Sequence, residues 1–158
     1  MSVIVARPVG SVGEGIFGKN YSMAESLGVT TTTQSAFQEK VSMSTGGIPL
    51  GTYRIGWSFQ WNHNSITDDF EGRVQLDNIT NLSYIQLEPS DSSEDNGTIG
   101  PTASPFSTTG TDQRNTSSGF RIMVLPAGNH IIDIDFRTNN TLRESSIWNA
   151  QIEFWRVS

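Results

Sequence analysis

The sequence predicts an all-β protein, an antiparallel β-sandwich preceded by an extended N-terminal arm. Three observations predict it. Apolar and polar side chains alternate residue by residue through most of residues 35–157, turn residues punctuate the alternating runs, and no segment carries a helical period. With 158 residues and no Cys, one domain is long enough to bury a core without staples, and it has to rely on burial and sheet hydrogen bonds.

Residues 1–34 show neither period. Gly10, Gly13, Gly15, Gly18 and Gly28 interrupt them, and Thr30 to Thr33 form a polar β-branched run. The segment holds too many apolar residues for a solvated tail. It reads as an arm that orders on a neighbouring subunit, with Val3, Ile4, Val5, Ile16 and Phe17 as anchors. The sandwich domain is expected over residues 35–158.

Within it, Phe37, Val41 and Met43 alternate with polar neighbours. Residues 52–61 give the clearest strand: Tyr53, Ile55, Trp57, Phe59 and Trp61 take one face, and Arg54, Gly56, Ser58 and Gln60 the other. Phe70, Val74 and Leu76 oppose Glu71, Arg73 and Gln75, and a strand at residues 82–87 follows. Residues 88–118, with Pro89, Pro101 and Pro105 among Gly, Ser, Thr, Asp and Asn, form a loop long enough to expect function or mobility. Pattern resumes at residues 119–125, turns at Pro126-Ala-Gly128, and continues with His130, Ile132, Ile134 and Phe136 opposite Ile131, Asp133, Asp135 and Arg137. Asn139-Asn140 is a turn. In residues 146–157, Trp148, Ala150, Ile152 and Phe154 are expected on one face and Trp155 on the other. That makes seven or eight strands in a sandwich or barrel.

The net charge of −6, with few and scattered Lys and Arg, disfavours nucleic acid as a partner. No apolar run is long enough for a membrane helix, and residues 1–10 lack the h-region of a signal peptide. His63 falls in an expected turn, and His130 on a buried strand face reads as a hydrogen-bonded core imidazole. With no Cys and no neighbouring His, a zinc site is not expected. Asp133 and Asp135 project from one face about 7 Å apart, a spacing a glycosidase could use, but a solvated outer face is the simpler reading. Asp68-Asp69 reads as turn chemistry. Asp91-Ser-Ser93-Glu-Asp95-Asn-Gly97 loosely suggests a calcium loop, but its Gly is one place late and the closing Glu is missing. No nucleophile elbow, phosphate loop or dinucleotide fingerprint occurs, so neither an enzyme nor a cofactor is expected. An outward Trp155 suits an intersubunit contact or stacking on a sugar ring.

Three stretches carry a family resemblance. Gly51-Thr-Tyr-Arg-Ile-Gly-Trp57, the turn Leu125-Pro-Ala-Gly128 leading into His130-Ile-Ile-Asp-Ile-Asp-Phe136, and Ile147-Trp-Asn-Ala-Gln-Ile-Glu-Phe-Trp-Arg-Val157 resemble strands of trimeric jelly rolls. These include tumour-necrosis-factor-like heads and the head-decoration (cement) and fibre-knob proteins of tailed bacteriophages. The resemblance covers residues 35–158 and implies a sandwich of the jelly-roll type. It further implies a non-enzymatic virion protein, assembled in the host cytoplasm as a homotrimer, that binds the major capsid protein and stabilises the outer capsid surface. The alternative is a receptor- or carbohydrate-binding domain of a phage fibre or tail tip, using the 88–118 loop and exposed Trp residues.

Overall fold

The strand order settles which kind of sandwich the alternation builds. The computed structural model describes residues 3–6, 21–65, 67–87 and 115–158. Its strands are β1 (Val3–Ala6), β2 (Ser22–Ser26), β3 (Thr30–Thr32), β4 (Gln38–Ile48), β5 (Gly51–His63), β6 (Phe70–Leu76), β7 (Thr80–Leu87), β8 (Asn115–Leu125), β9 (Gly128–Thr138) and β10 (Ser145–Arg156). One sheet runs β1-β2-β10-β5-β8, with β3 also on β10; the other runs β4-β9-β6-β7. Every pairing is antiparallel. From β4 onward every step except β6 to β7, which are paired neighbours, crosses between the sheets, as in the two nested Greek keys of a jelly roll. The fold class expected from the sequence is therefore the one observed.

The start of the domain differs from expectation. β2 and β3 lie inside the stretch read as an arm, yet both hydrogen-bond to β10 of the same chain, and Ala24, Ser26 and Thr32 are buried. Lys40 ties this edge down by donating from Nζ to the Gly28 carbonyl and to Thr30 Oγ1 (3.0 Å). The β1 backbone, carrying Val3, Ile4 and Val5, pairs with β2. Pairing through the backbone needs no apolar period, so these short strands leave little trace in the sequence. Ile16 and Phe17 lie outside the described residues. The long loop also shortens at its end, because β8 begins at Asn115; residues 88–114, with the acidic 91–97 stretch, lie outside the described residues.

Between the sheets, the five apolar residues of β5 meet Ile147, Ala150, Ile152 and Phe154 of β10, and then the inner faces of β4, β6, β7 and β9. The sheets are locked at Phe70. Its ring stacks on Trp61 (centroids 4.8 Å apart) from the first sheet, and lies 6.2 Å from Phe136 and 6.3 Å from Phe59. Aromatic pairs of this geometry contribute about 0.5–1.5 kcal/mol beyond the area they bury.

Room for the Phe70 ring comes from Gly72, two residues on and on the same face. A Cβ there would stand 2.7 Å from Phe70 Cε1 and 3.3 Å from Phe59 Cζ. Gly72→Ala is therefore expected to destabilise the fold by about 1–3 kcal/mol through overpacking. Urea unfolding with an unchanged m-value would measure it.

Candidate functional site

Alternation along β5 gives the first sheet a second, outward face. Arg54, Gly56, Ser58 and Gln60 stand there, opposite the core residues. The register sets their neighbours: Arg54 lies between Trp155 and Ile122, Gly56 between Glu153 and Phe120, Ser58 between Gln151 and Ser118, and Gln60 between Trp148 and Thr116.

Trp148 is on this face because β10 is irregular. Its register on β5 shifts between Trp148 and Gln151, and Asn149 takes the left-handed conformation (φ 49°) that Asn tolerates better than most residues. Asn149 anchors the bulge, its backbone N–H donating to the Leu27 carbonyl (3.2 Å) and its Nδ2 to Gln60 Oε1 (2.8 Å). Trp148 was expected on the core face with Ala150, Ile152 and Phe154. The bulge turns it outward, onto the face that Trp155 occupies as expected.

Missing side-chain bulk at Gly56 and small ones at Ser58 and Ser118 leave a hollow of ≈ 290 Å³, walled by Arg54, Phe120, Gln151 and Glu153. The Arg54 guanidinium is held between two rings, its Cζ 4.2 Å from the Trp155 centroid and 4.4 Å from that of Phe120. Its Nη1 is 3.8 Å from Glu153 Oε2. Tyr21 extends the aromatic rim, 6.1 Å from Trp155. The hollow thus combines aromatic edges, a fixed cation, a carboxylate, an amide and two hydroxyls. Of these residues only Trp155 stood out in the sequence. The available signal was the run Phe120-Arg-Ile-Met-Val-Leu125, apolar at alternate positions on both sides of its strand.

The other sequence candidates lie elsewhere. Asp133 and Asp135 do project from the outer face of the second sheet, but they are 3% and 7% exposed, not solvated. Asp135 Oδ2 accepts from Arg73 Nε at 2.9 Å and meets its Nη2 at 2.9 Å; burial nevertheless holds its carboxyl above the usual range. Next to it, Glu71 Oε2 accepts from Arg137 Nε (2.8 Å) and from the Tyr84 hydroxyl (2.5 Å). Burial, reinforced by Glu71, pushes the Tyr84 phenol up to about 12, so it stays a donor. Phe37 lies beneath both arginines, 3.9 Å from Arg73 Cζ and 4.6 Å from Arg137 Cζ. Asp135 and Glu71 are committed to ion pairs on the sheet opposite the hollow, whereas Asp133 Oδ1 is buried there without a hydrogen-bond partner. Asp68 and Asp69 tie turns together, accepting from Asn140 and Asn139 respectively. No group of three or more His, Asp or Glu among the described residues is arranged to hold a metal.

Both histidines are structural. His63 ends β5 instead of opening a turn and is fully buried. Its Nε2 donates to Thr138 Oγ1 (3.0 Å), Nδ1 accepts from the Ser65 N–H (3.1 Å), and burial lowers its pKa, keeping the ring neutral. His130 is buried too, as expected, but it is paired. Nδ1 donates to Asp77 Oδ2 (2.8 Å) and Nε2 to the Pro126 carbonyl (3.1 Å). Burial alone would lower the His130 pKa, and the Asp77 and Pro126 acceptors outweigh it and raise it.

No family model and no curated protein sequence matches the chain. Among solved structures, the native structure of a family 35 carbohydrate binding module from Clostridium thermocellum is similar over 96% of this chain and 90% of its own, at 11% identity and a TM-score of 0.35. A likeness that loose assigns no ligand.

The His130–Asp77 pair gives stability a defined pH dependence. A raised folded pKa means the histidine's contribution is complete below its ordinary value of 6.5 and is lost as pH rises through the folded value. Asp77, whose pKa is lowered by the His130 and Ile131 hydrogen bonds against the opposing pull of burial, contributes above 3.8 and fades as pH falls through its lowered value. The stability difference between wild type and His130→Gln is therefore expected to be largest between pH 3.8 and 6.5 and to shrink above neutrality, measured by urea unfolding at pH 5.5 and 8.5.

Proposed function

We propose that this protein recognises a carbohydrate, without turning it over, on the outer face of the first sheet. The observation that carries this reading is the hollow over Gly56 with aromatic rings at its rim. A pyranose presents C–H groups on its faces and hydroxyls around its edge. It is therefore matched by a surface that offers ring faces beside short polar side chains. Phe120 lines the hollow and Trp155 flanks it on the other side of Arg54; Gln151, Glu153, Ser58 and Ser118 supply donors and acceptors. The volume, at the lower end for small-molecule sites, suits one or two sugar rings. Strands, not loops, carry the residues, so the surface is rigid before the ligand arrives.

A second reading is attachment to a virion as a capsid-decoration protein on the major capsid protein. The lacing arm offers it less than the sequence suggested, since the β1 backbone and residues 22–32 pair within their own sheet. The row of exposed apolar residues on β8 still supports an assembly role. Mass spectrometry of purified virions that finds the chain at a fixed ratio to the capsid protein would favour this reading; its absence from them would end it.

A glycan array followed by titration calorimetry tests the carbohydrate reading. Binding to a defined saccharide class is expected. Phe120→Ala and Trp155→Ala should each weaken it at least about tenfold, which is 1.4 kcal/mol. Gly56→Val should abolish it by displacing the groups that wall the hollow, since a Cβ there would stand 3.1 Å from Arg54 Nη1 and 3.5 Å from Glu153 Oε2, with unchanged circular dichroism. A silent array, or binding indifferent to all three changes, would refute the proposal.

A further inference from the structure

We propose that β8 is a self-association seam, along which two copies of this chain join their first sheets into one. Among the described strands β8 pairs only with β5, so its other edge carries a row of backbone donors and acceptors eleven residues long. Edges of this kind are normally blunted by charge, proline or a bulge. This one has no proline and no bulge, and its single charge, Arg121, stands on the opposite face, where Nε donates to the Leu82 carbonyl (3.2 Å). Its register on β5 is unbroken from Asn115 to Leu125, and its outward side chains are Thr116, Ser118, Phe120, Ile122 and Val124, all uncharged. The last three are exposed by 49%, 56% and 67%.

The occupant is a second copy because the strand complements itself. An antiparallel pairing centred on Ile122 sets Ile122 against its own copy, and Phe120 against Val124 on each side, so that all three apolar residues are covered at once. It also sets Arg121 against Met123. Centring one residue earlier would place Arg121 opposite Arg121, which like-charge repulsion disfavours. On a chain of net charge −6, two copies repel over most of their surface, and an edge strand without acidic residues is where they can approach. An edge strand has one free side, so the contact closes after two copies around a two-fold axis. Phe120 keeps its Arg54 side toward the hollow and turns its other side to the partner copy. The inference does not depend on the carbohydrate reading.

Light scattering and sedimentation of the full chain test the seam. Wild type is expected at twice the chain mass. Ile122→Lys, which sets two ammonium groups face to face, should weaken association at least about 100-fold, while Thr116→Lys, on the same face beyond the seam, should leave it intact. Both variants should match wild type in circular dichroism. Register is read separately: in a chain with no native Cys, Ile122→Cys should cross-link to its copy on mild oxidation, and Thr116→Cys should not. A monomeric wild type, a trimer, or a dimer that survives Ile122→Lys would overturn the proposal. Saccharide binding retained by a monomeric Ile122→Lys variant would separate the two surfaces.

Discussion

The contact on which this molecule depends is the stack of Phe70 on Trp61, continued to Phe136, across the gap between the sheets. It joins the central strand β5 of one sheet to β6 and β9 of the other, so it fixes both the spacing of the sandwich and the rotation of β5 about its own axis. Once Trp61 faces inward, period-2 geometry leaves no choice for the rest of the strand. Tyr53, Ile55, Trp57 and Phe59 follow it into the core, and Arg54, Gly56 and Ser58 are turned to the outside. The hollow is thus the reverse side of the core. A one-residue slip of β5 would destroy both together.

Polar chemistry is distributed around that core by the same logic. On the second sheet Asp135 is paired with Arg73, and Glu71 with Arg137 and Tyr84, while Asp133 Oδ1 is buried without a hydrogen-bond partner. The pairs offset the cost of burying Asp135 and Glu71. On the outward face of the first sheet Arg54 is held by aromatic faces and only a distant carboxylate, which leaves its surroundings open. The two outer faces therefore differ in character although the strands beneath them are built alike.

Much of this was legible in the sequence, and the gaps have physical causes. The strands β5, β6 and β9 announce themselves because each buries one complete face, and burial writes a period into the chain. β2 and β3 do not, since strands of five and three residues are too short to write a period, and they are held largely by backbone hydrogen bonds that any residue supplies. The facing of Trp148 could not be read by counting, because a single left-handed residue, Asn149, resets the alternation. Asp133 and Asp135 were placed on the correct face, but their burial was hidden; the guanidinium that covers Asp135 belongs to Arg73, 62 residues away. The hollow was hidden for the same reason. Its walls come from β5, β8 and β10, and only the sheet register brings them together.

The division of β5 and β10 into a core side and a ligand side is most directly tested through two of the four tryptophans. In a ¹⁵N correlation spectrum recorded during saccharide titration, the indole signal of Trp155, which flanks Arg54, is expected to move while that of the core residue Trp61 stays fixed. Movement of the Trp61 indole, with Trp155 unchanged, would contradict the account.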